Sequence, residues 1–479
     1  MSATTAPAIP RSAIISALVL VIGGLAVIFD GTIMSVALAT LASDLDAPVS
    51  TIQWVTTAYL LALGVAIPVV GWAQVRLGGK RLWMIALTIF LLASIACSLA
   101  WDAPSLIAFR VVQGIGGGLM MPLMATLAVQ QVPAGASLGR LMAMVSLPAA
   151  LGPILGPTLG GLILTWLDWH WIFWINVPFC VIGLALAWRL LPSDPPQGRP
   201  ALDWRGLVLI SPALVGILYG LSNVGQDGGF SRTDVWLPLL AGIALAIAFV
   251  LTQVRRRAGA LIDVGLLRRP TVAASGAILF LSGAALYGSM LLLPLYFQIV
   301  RGADVLAAAL LLIPQGVGAL LSRTMAGRLT DSLGARSVAI AGFVVMGLAT
   351  IPFAVADAGT DMTWLMIALL VRGFGMGTLM IPMMSVAFVG LERDQVPHAS
   401  IITRLAQQIG GAFGTAILAV ILEATTSGAT DLTALAAGFD TAFWWAVGFT
   451  VVAVGVCMAL PSRTEPAEAA PATPSAAAS

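Results

Sequence analysis

The chain has 479 residues, of which 59% are hydrophobic and only 9% charged, with a formal net charge of +2. A soluble globular domain carries about 25% charged residues; so few charges, with a mean hydropathy of +1.01, exclude a water-coated core and predict a polytopic membrane protein. The near-neutral balance points to no nucleic acid partner, and Cys97, Cys180 and Cys457, all in apolar stretches, give neither a metal spacing nor a disulfide framework.

A membrane-crossing helix needs about 20 mostly apolar residues, and on that rule fourteen segments qualify. After a cytoplasmic N-tail (1–12) without a clear cleavage site, six run near 13–38, 53–75, 80–101, 104–129, 138–166 and 170–191. Two more lie near 205–222 and 233–252, and the last six near 270–300, 304–328, 335–356, 361–390, 399–426 and 438–460. The links are short, as expected of antiparallel neighbours. The division is therefore an N-terminal six-helix bundle (13–191), a two-helix insert with its cytoplasmic linkers (192–269), a C-terminal six-helix bundle (270–460) and an Ala/Pro/Ser-rich tail (461–479) that reads as disordered. The segment 255–269, "RRRAGALIDVGLLRR", has apolar residues flanked by bases and is expected along the inner membrane face.

Lys and Arg set orientation. With the N-terminus in the cytoplasm, the inner segments hold Arg11, Arg76, Lys80, Arg81, Arg140, Arg189, Arg199, Arg205, Arg255, Arg256, Arg257, Arg268, Arg269, Arg323, Arg328, Arg336, Arg393, Arg404 and Arg463, which is 19 of the 23 bases. Only Arg232 and Arg301 fall outside, and Arg110 and Arg372 lie within spans. Both termini are thus expected in the cytoplasm, in a multi-pass inner (plasma) membrane protein.

Two internal repeats relate the halves. "GWAQVRLGGKR" (71–81) follows the second span and "GRLTDSLGAR" (327–336) the tenth; "QGIGGGLMMPLM" (113–124) resembles "RGFGMGTLMIPMM" (372–384). Membrane transporters are commonly built from such repeats, with the substrate site near mid-membrane at their interface.

Within the spans a few polar residues stand out. Asp30 is the only charge between Ala13 and Leu38, and a charge at a membrane helix centre costs roughly 2.5–3.5 kcal/mol on insertion scales. Leaving water disfavours a carboxylate, so Asp30 can take up a proton, release it, or pair with a cation; alternatively it is a structural acid that orders packing. Arg110, which cannot lose its proton, needs acceptors, and Gln113 shares its helix face. Gly152, Gly156 and Gly160, with Pro153, Pro157 and Gly161, form a stripe that permits close helix approach and bending. In the two repeat loops, Gly71, Arg76, Gly78 and Lys80, and Gly327, Asp331, Gly334 and Arg336, suit gating ion pairs at the cytoplasmic face, or plain topological anchoring. Met120, Met121, Met124, Met380, Met383 and Met384 occupy matching places and suit either a promiscuous pocket or core filling. Tyr59, Tyr287, Tyr296, Gln298 and Arg372 are further cavity candidates. His170 and His398 have no metal-spaced partners, and no catalytic set is evident.

These stretches resemble the major facilitator superfamily, and within it the fourteen-helix drug:proton antiporters. "FDGTIMSVAL" (29–38) resembles the first-helix signature, "RVVQGIGGG" (110–118) the fourth, and "LGPILGPTLGG" (151–161) the antiporter signature of the fifth. "HWIFWINVP" (170–178), "LPLYFQIVRG" (293–302) and "RLAQQIGGAFGTAIL" (404–418) resemble stretches typical of the fourteen-helix branch. One departure is Val75, where the loop signature normally has an acid. The resemblance implies an all-α membrane protein with the major facilitator fold: two six-helix bundles plus two central helices. It also implies proton coupling supported by Arg110, export of small apolar or amphipathic molecules by alternating access, no cofactor, and the proton gradient as energy source. Its partners are the small-molecule substrate, protons and the lipid bilayer; a periplasmic adaptor stays open. The alternatives are a sensor or scaffold that moves nothing and an uptake transporter of the same fold.

Overall fold

In hydrocarbon a backbone must satisfy its own N–H and C=O groups, which favours helices for apolar segments of this length. The computed structural model describes residues 10–131, 141, 145, 147–194, 196, 198, 201–224, 231–255, 260–357, 359–392, 394–426 and 432–458, and every regular element among them is helical. The first group comprises α1 (Arg11–Asp44), α2 (Val49–Ala66), α3 (Val70–Leu77), α4 (Gly79–Ser98), α5 (Ala103–Gln130), α6 (Leu147–Trp166), α7 (His170–Trp174) and α8 (Asn176–Leu190). Then come α9 (Trp204–Asn223) and α10 (Thr233–Arg255). The last group is α11 (Pro270–Leu295), α12 (Val305–Leu311), α13 (Ile313–Leu333), α14 (Ala335–Leu348), α15 (Ile351–Ala354), α16 (Met362–Ala387), α17 (Val396–Thr426) and α18 (Leu432–Cys457).

Among the described residues twelve helices, rather than the expected fourteen, are long and apolar enough to cross a membrane. The two expected spans without one are 138–166 and 304–328. Most of 138–146 lies outside the described residues, so only α6 stands for the first. In the second the chain breaks at Leu312, and α13 then runs on to Leu333 carrying Arg323, Arg328 and Asp331, which dilutes its apolar run. Also outside the described residues are Met1–Ile9 of the N-tail, the tail from Pro461, and Arg140, Arg199, Arg256, Arg257, Arg393 and Arg463.

The internal repeat is visible as packing. In the first group α1 packs on α6 and α8, α2 on α5, and α4 on α5 and α8. In the last, α11 packs on α17 and α18, α13 on α16, and α14 on α16 and α18. The repeated glycines explain the correspondence. A Cβ on Gly114 or Gly118 would overlap the carbonyl oxygens of Tyr59 and Leu63 in α2, while one on Gly116 would overlap the α4 backbone. Gly373 and Gly377 stand the same way against Gln315 and Ala319 of α13, and Gly375 against α14. Backbones approach this closely only where side chains are absent. Both central helices also begin on an aspartate. Asp102 caps α5 by accepting from the Ser105 amide at 2.8 Å, and Asp361 caps α16 by accepting from the amides of Thr363 and Trp364. Hydrogen bonding to Ser105 holds the Asp102 carboxyl below its ordinary range, and bonds from Trp364 and Thr363 do the same for Asp361.

The two groups meet along two seams. On one, α17 packs against α5, α3 and the 3-10 turn Ile67–Val69: the Ser400 hydroxyl donates to the Pro122 carbonyl at 2.9 Å, and Gly71 lies against His398 and Ile401. On the other, α6 packs against α12 and α13. The α9–α10 pair, closed by Gly216, Gly220 and Gly242, lies over the first seam. α9 touches both α2 and α17, Leu218 reaches Gly64, and Trp54 stacks on Tyr219 with centroids 5.6 Å apart. Part of the segment expected along the membrane face packs on the start of α17. Leu261, Ile262 and Leu266 are buried with Val396, Ala399 and Ile401, and Val264–Arg268 is a 3-10 turn whose Gly265 amide donates to Asp263.

The outer surface is apolar, as a lipid-facing surface must be, and exposed tryptophans mark its two ends: Trp101, Trp166 and Trp364 at one, Trp188 and Trp204 at the other. The glycine seams carry a direct test. Gly114→Ala and Gly373→Ala should lower the thermal unfolding temperature of detergent-solubilised protein. Gly276→Ala, where a Cβ meets nothing within 4 Å, should hold or raise it, because Ala is favoured over Gly by about 1 kcal/mol in a helix.

Candidate functional site

Three of the residues singled out from sequence converge inside the first helix group. Arg110, eight residues into α5, extends an Nη1 donor to Asp30 Oδ2 of α1 at 2.6 Å and to Gln113 Oε1 at 2.8 Å. Gln113, three residues on, donates its amide to Asp30 Oδ1 at 2.9 Å and to the Ser94 hydroxyl of α4 at 2.7 Å. Arg110 Nε reaches the Val55 carbonyl of α2 at 3.1 Å, so one guanidinium ties α1, α2 and α5 together. Asn176, at the first position of α8, donates to Asp30 Oδ1 at 3.1 Å and Ser94 Oγ at 3.2 Å. Asp30, Arg110, Gln113, Ser94 and Asn176 are all 0% exposed.

Such a pair is costly to bury and persists only when its remaining donors and acceptors are met. Here the carboxylate receives three donors on two oxygens, and the guanidinium lies 4.1 Å from the Tyr59 ring centroid and 5.8 Å from that of Phe173. Those ring faces favour a cation. Three polar atoms stay unpartnered: Arg110 Nη2, Asn176 Oδ1 and the Tyr59 hydroxyl. The cluster is therefore closed against water yet retains spare hydrogen-bonding capacity around its only acid.

The glycine stripe seats the helix that carries this acid. A Cβ at Gly152 would overlap Ile28, and one at Gly156 would overlap Thr32; both lie on α1, two residues to either side of Asp30. Gly160 is buried and Gly161 partly so, within a helix unbroken from Leu147 to Trp166. The side chains of Pro153 and Pro157 lie outside the described residues.

The matching place in the other half is built differently. Arg372, 2% exposed, has no carboxylate partner among the described residues. Its Nε donates to Thr350 Oγ1 at 3.0 Å, Nη1 to Gln315 Oε1 at 2.8 Å, and Nη2 to the Ser289 hydroxyl. Tyr296 is not a cavity residue: it is 0% exposed, packed edge-on among Phe297, Phe353, Phe439 and Phe443. Tyr287 is partly exposed, with its ring against Gly411. Gln298 is half-buried in a π turn.

Met120, Met121 and Met124 are buried in the first-half core and Met383 in the second, an arrangement of core filling rather than pocket lining. The side chains of Met380 and Met384 lie outside the described residues.

The loop residues form no ion pair among the described residues. Gly78 and Gly334 take positive φ, 81° and 83°, at equivalent turns. Lys80 donates instead to the carbonyls of Trp188 and Leu191 at 2.8 and 2.7 Å, at the end of α8. Asp194, unremarked in the sequence, caps α4 from outside by accepting from the amides of Gly79 at 2.5 Å and Lys80 at 3.0 Å. Arg76 is exposed over the Trp72 ring at 5.5 Å. Gly327 is buried and Arg336 half-buried, and the Asp331 side chain lies outside the described residues. His170 Nδ1 lies 2.9 Å from Asp168, and His398 Nδ1 accepts from the Asp263 amide. No group of His, Cys, Asp or Glu suited to a metal occurs among the described residues.

Ser94 and Asn176 also went unremarked. Asn176 lies inside the quoted stretch "HWIFWINVP", where the only signal was one amide in an otherwise apolar and aromatic run.

Comparison with known proteins agrees with the fold. The Major Facilitator Superfamily profile matches residues 20–415. The chain is 37% identical over 396 residues to a multidrug resistance protein B homolog of Mycobacterium tuberculosis, covering 82% of this chain and 73% of that one. It is 30% identical over 397 residues to the lincomycin resistance protein LmrB of Listeria innocua, covering 83% and 84%. Among solved structures, the proton:xylose symporter XylE superposes with a TM-score of 0.65 at 16% identity, over 94% of this chain and 97% of that one, a likeness of fold. With its twelve apolar helices, repeated packing and matched profile, the chain belongs to the Major Facilitator Superfamily and is a multi-pass membrane protein.

Proposed function

We propose that the protein exports small apolar or amphipathic molecules across the inner membrane in exchange for protons, by alternating access. The observation that carries the reading is a fully buried acid, Asp30, bonded to Arg110, Gln113 and Asn176 on the helix that α6 grips at Ile28 and Thr32. Protonating Asp30 removes the charge that compensates Arg110. The guanidinium then needs another acceptor, and the tie between α1 and its neighbours loosens. Because α6 is seated on α1 and also touches α13 of the other half, a change at Asp30 is relayed to the contact between halves. The multidrug and lincomycin resistance proteins among its relatives support drug-like cargo.

The same reading takes 13–191 and 270–460 as the moving halves and 192–269 as an insert. It counts α6 and α12–α13 as spans, for fourteen in all, with both termini cytoplasmic. Proton release then faces the turns at Gly78 and Gly334, where the basic residues collect. A scaffold that moves nothing would have no use for a buried acid tied into the helix that α6 grips.

Two measurements test it in inverted membrane vesicles with an imposed pH gradient. Asp30→Asn should abolish substrate-driven proton movement, at least tenfold below wild type, while leaving substrate binding; normal transport with unchanged pH dependence would sink the mechanism. Gly156→Leu should wedge α6 off α1 and reduce exchange to a similar degree in protein that still reaches the membrane, and full activity there would remove α6 from the relay.

A further inference from the structure

Protonating Asp30 creates a bonding problem inside the cluster. A carboxylate only accepts hydrogen bonds, whereas a carboxylic acid also carries an O–H that needs an acceptor. Oδ2 faces Arg110 Nη1 at 2.6 Å, and Oδ1 faces Gln113 Nε2 at 2.9 Å and Asn176 Nδ2 at 3.1 Å. All three neighbours are donors. The other titratable groups around Asp30 are Tyr59 of α2, Cys97 of α4 and Cys180 of α8, and none bonds the carboxylate. α6 carries no titratable residue, and His170 of α7 is engaged with Asp168.

A buried O–H aimed only at donors is left without a bond, so one neighbour has to present an oxygen instead. Arg110 cannot, because a guanidinium has no acceptor. Gln113 is locked: its Oε1 accepts from Arg110 Nη1 at 2.8 Å and from the Cys97 thiol at 3.6 Å, and turning its amide over would set N–H against N–H. Asn176 is not locked. Its Oδ1 is buried without a partner, so turning this amide over breaks no bond at that atom. Ser94 suits the change too. Its Oγ accepts from Gln113 at 2.7 Å and from Asn176 at 3.2 Å, and a hydroxyl can donate as well as accept.

We propose that the Asn176 side-chain amide turns over as Asp30 gains or loses its proton, which makes Asn176 a positioning residue of the proton site. Beside the carboxylate, Nδ2 donates to Asp30 Oδ1 and Ser94 Oγ. Beside the acid, the proton on Asp30 Oδ1 is donated to Asn176 Oδ1, which also accepts from the Ser94 hydroxyl, while Gln113 keeps its bond to Ser94. The link between α1 and α8 survives in both states, whereas Arg110 loses its counter-charge. Protonation therefore frees α1 from α5 and leaves it attached to α8. This rests on the export reading, with Asp30 as its proton site.

The chain has two asparagines, Asn176 and Asn223, so isotope-labelled asparagine in an Asn223→Gln background reports Asn176 alone. The full chain in nanodiscs is titrated from alkaline to acid pH and followed by infrared difference spectroscopy. A carboxylic C=O band that is lost in Asp30→Asn should grow at low pH. The labelled Asn176 carbonyl, unbonded at high pH, should shift to lower frequency with the same midpoint, and should stay fixed in Asp30→Asn. Asn176→Leu, which offers no acceptor, should shift the Asp30 band to higher frequency; an unmoved band would make Asn176 a fixed donor and overturn the proposal. A titrating Asp30 band beside an unmoved Asn176 carbonyl overturns the turning amide and leaves the proton site standing. No Asp30 band at any pH overturns both. If Asn176→Leu does not fold, the labelled protein decides, since it keeps the native residue.

Discussion

A charge inside a membrane protein must find its compensation within the protein, and the architecture follows from where that compensation is found. In the first half it gathers at one point. Arg110 gathers a carboxylate, an amide and a backbone carbonyl from three helices. Four helices of the bundle, α1, α4, α5 and α8, converge on this polar node, with α2 supplying a carbonyl and a ring. The apolar side chains around it could pack in many ways; the network of directional bonds fixes one rotation for each helix.

The second half repeats the packing without repeating the electrostatics. The glycines that admit α2 and α4 against α5 recur where α13 and α14 meet α16, so the backbones superpose as a pattern. Yet Arg372 stands where the first half has Gln113, and its partners are hydroxyls and an amide. Those partners are uncharged, so the compensation there is by dipoles alone. The fold is thus symmetric in shape and asymmetric in chemistry.

What the sequence disclosed follows the same division. Asp30 and Arg110 were conspicuous because charges are rare in such runs, and Gln113 followed from helical spacing. The repeats were legible because glycine spacing records backbone contact directly. Ser94 and Asn176 were not, since an isolated neutral polar residue in an apolar helix has no periodic signature. Asp194 sits in a proline-rich loop and caps a helix over a hundred residues away, a pairing that no local pattern encodes. Arg323 was counted by its position along the chain, which carries no sign that its side chain is buried. The methionines matched a pocket as well as a core by composition, and only burial separates the two.

The insert has its own implication for how the halves can part. α9 is fastened to α2 through Leu218 and Trp54 and to α17 through a cluster of Leu221, Val224 and Ala416. It is stiffened by its glycine-sealed partner α10. Among the described residues it straps one edge of the molecule, and no helix crosses the opposite edge, between α6 and α13. On the export reading proposed above, two bodies so joined would swing like a book on its spine, and a molecule dissolved in the bilayer would enter from the fore-edge.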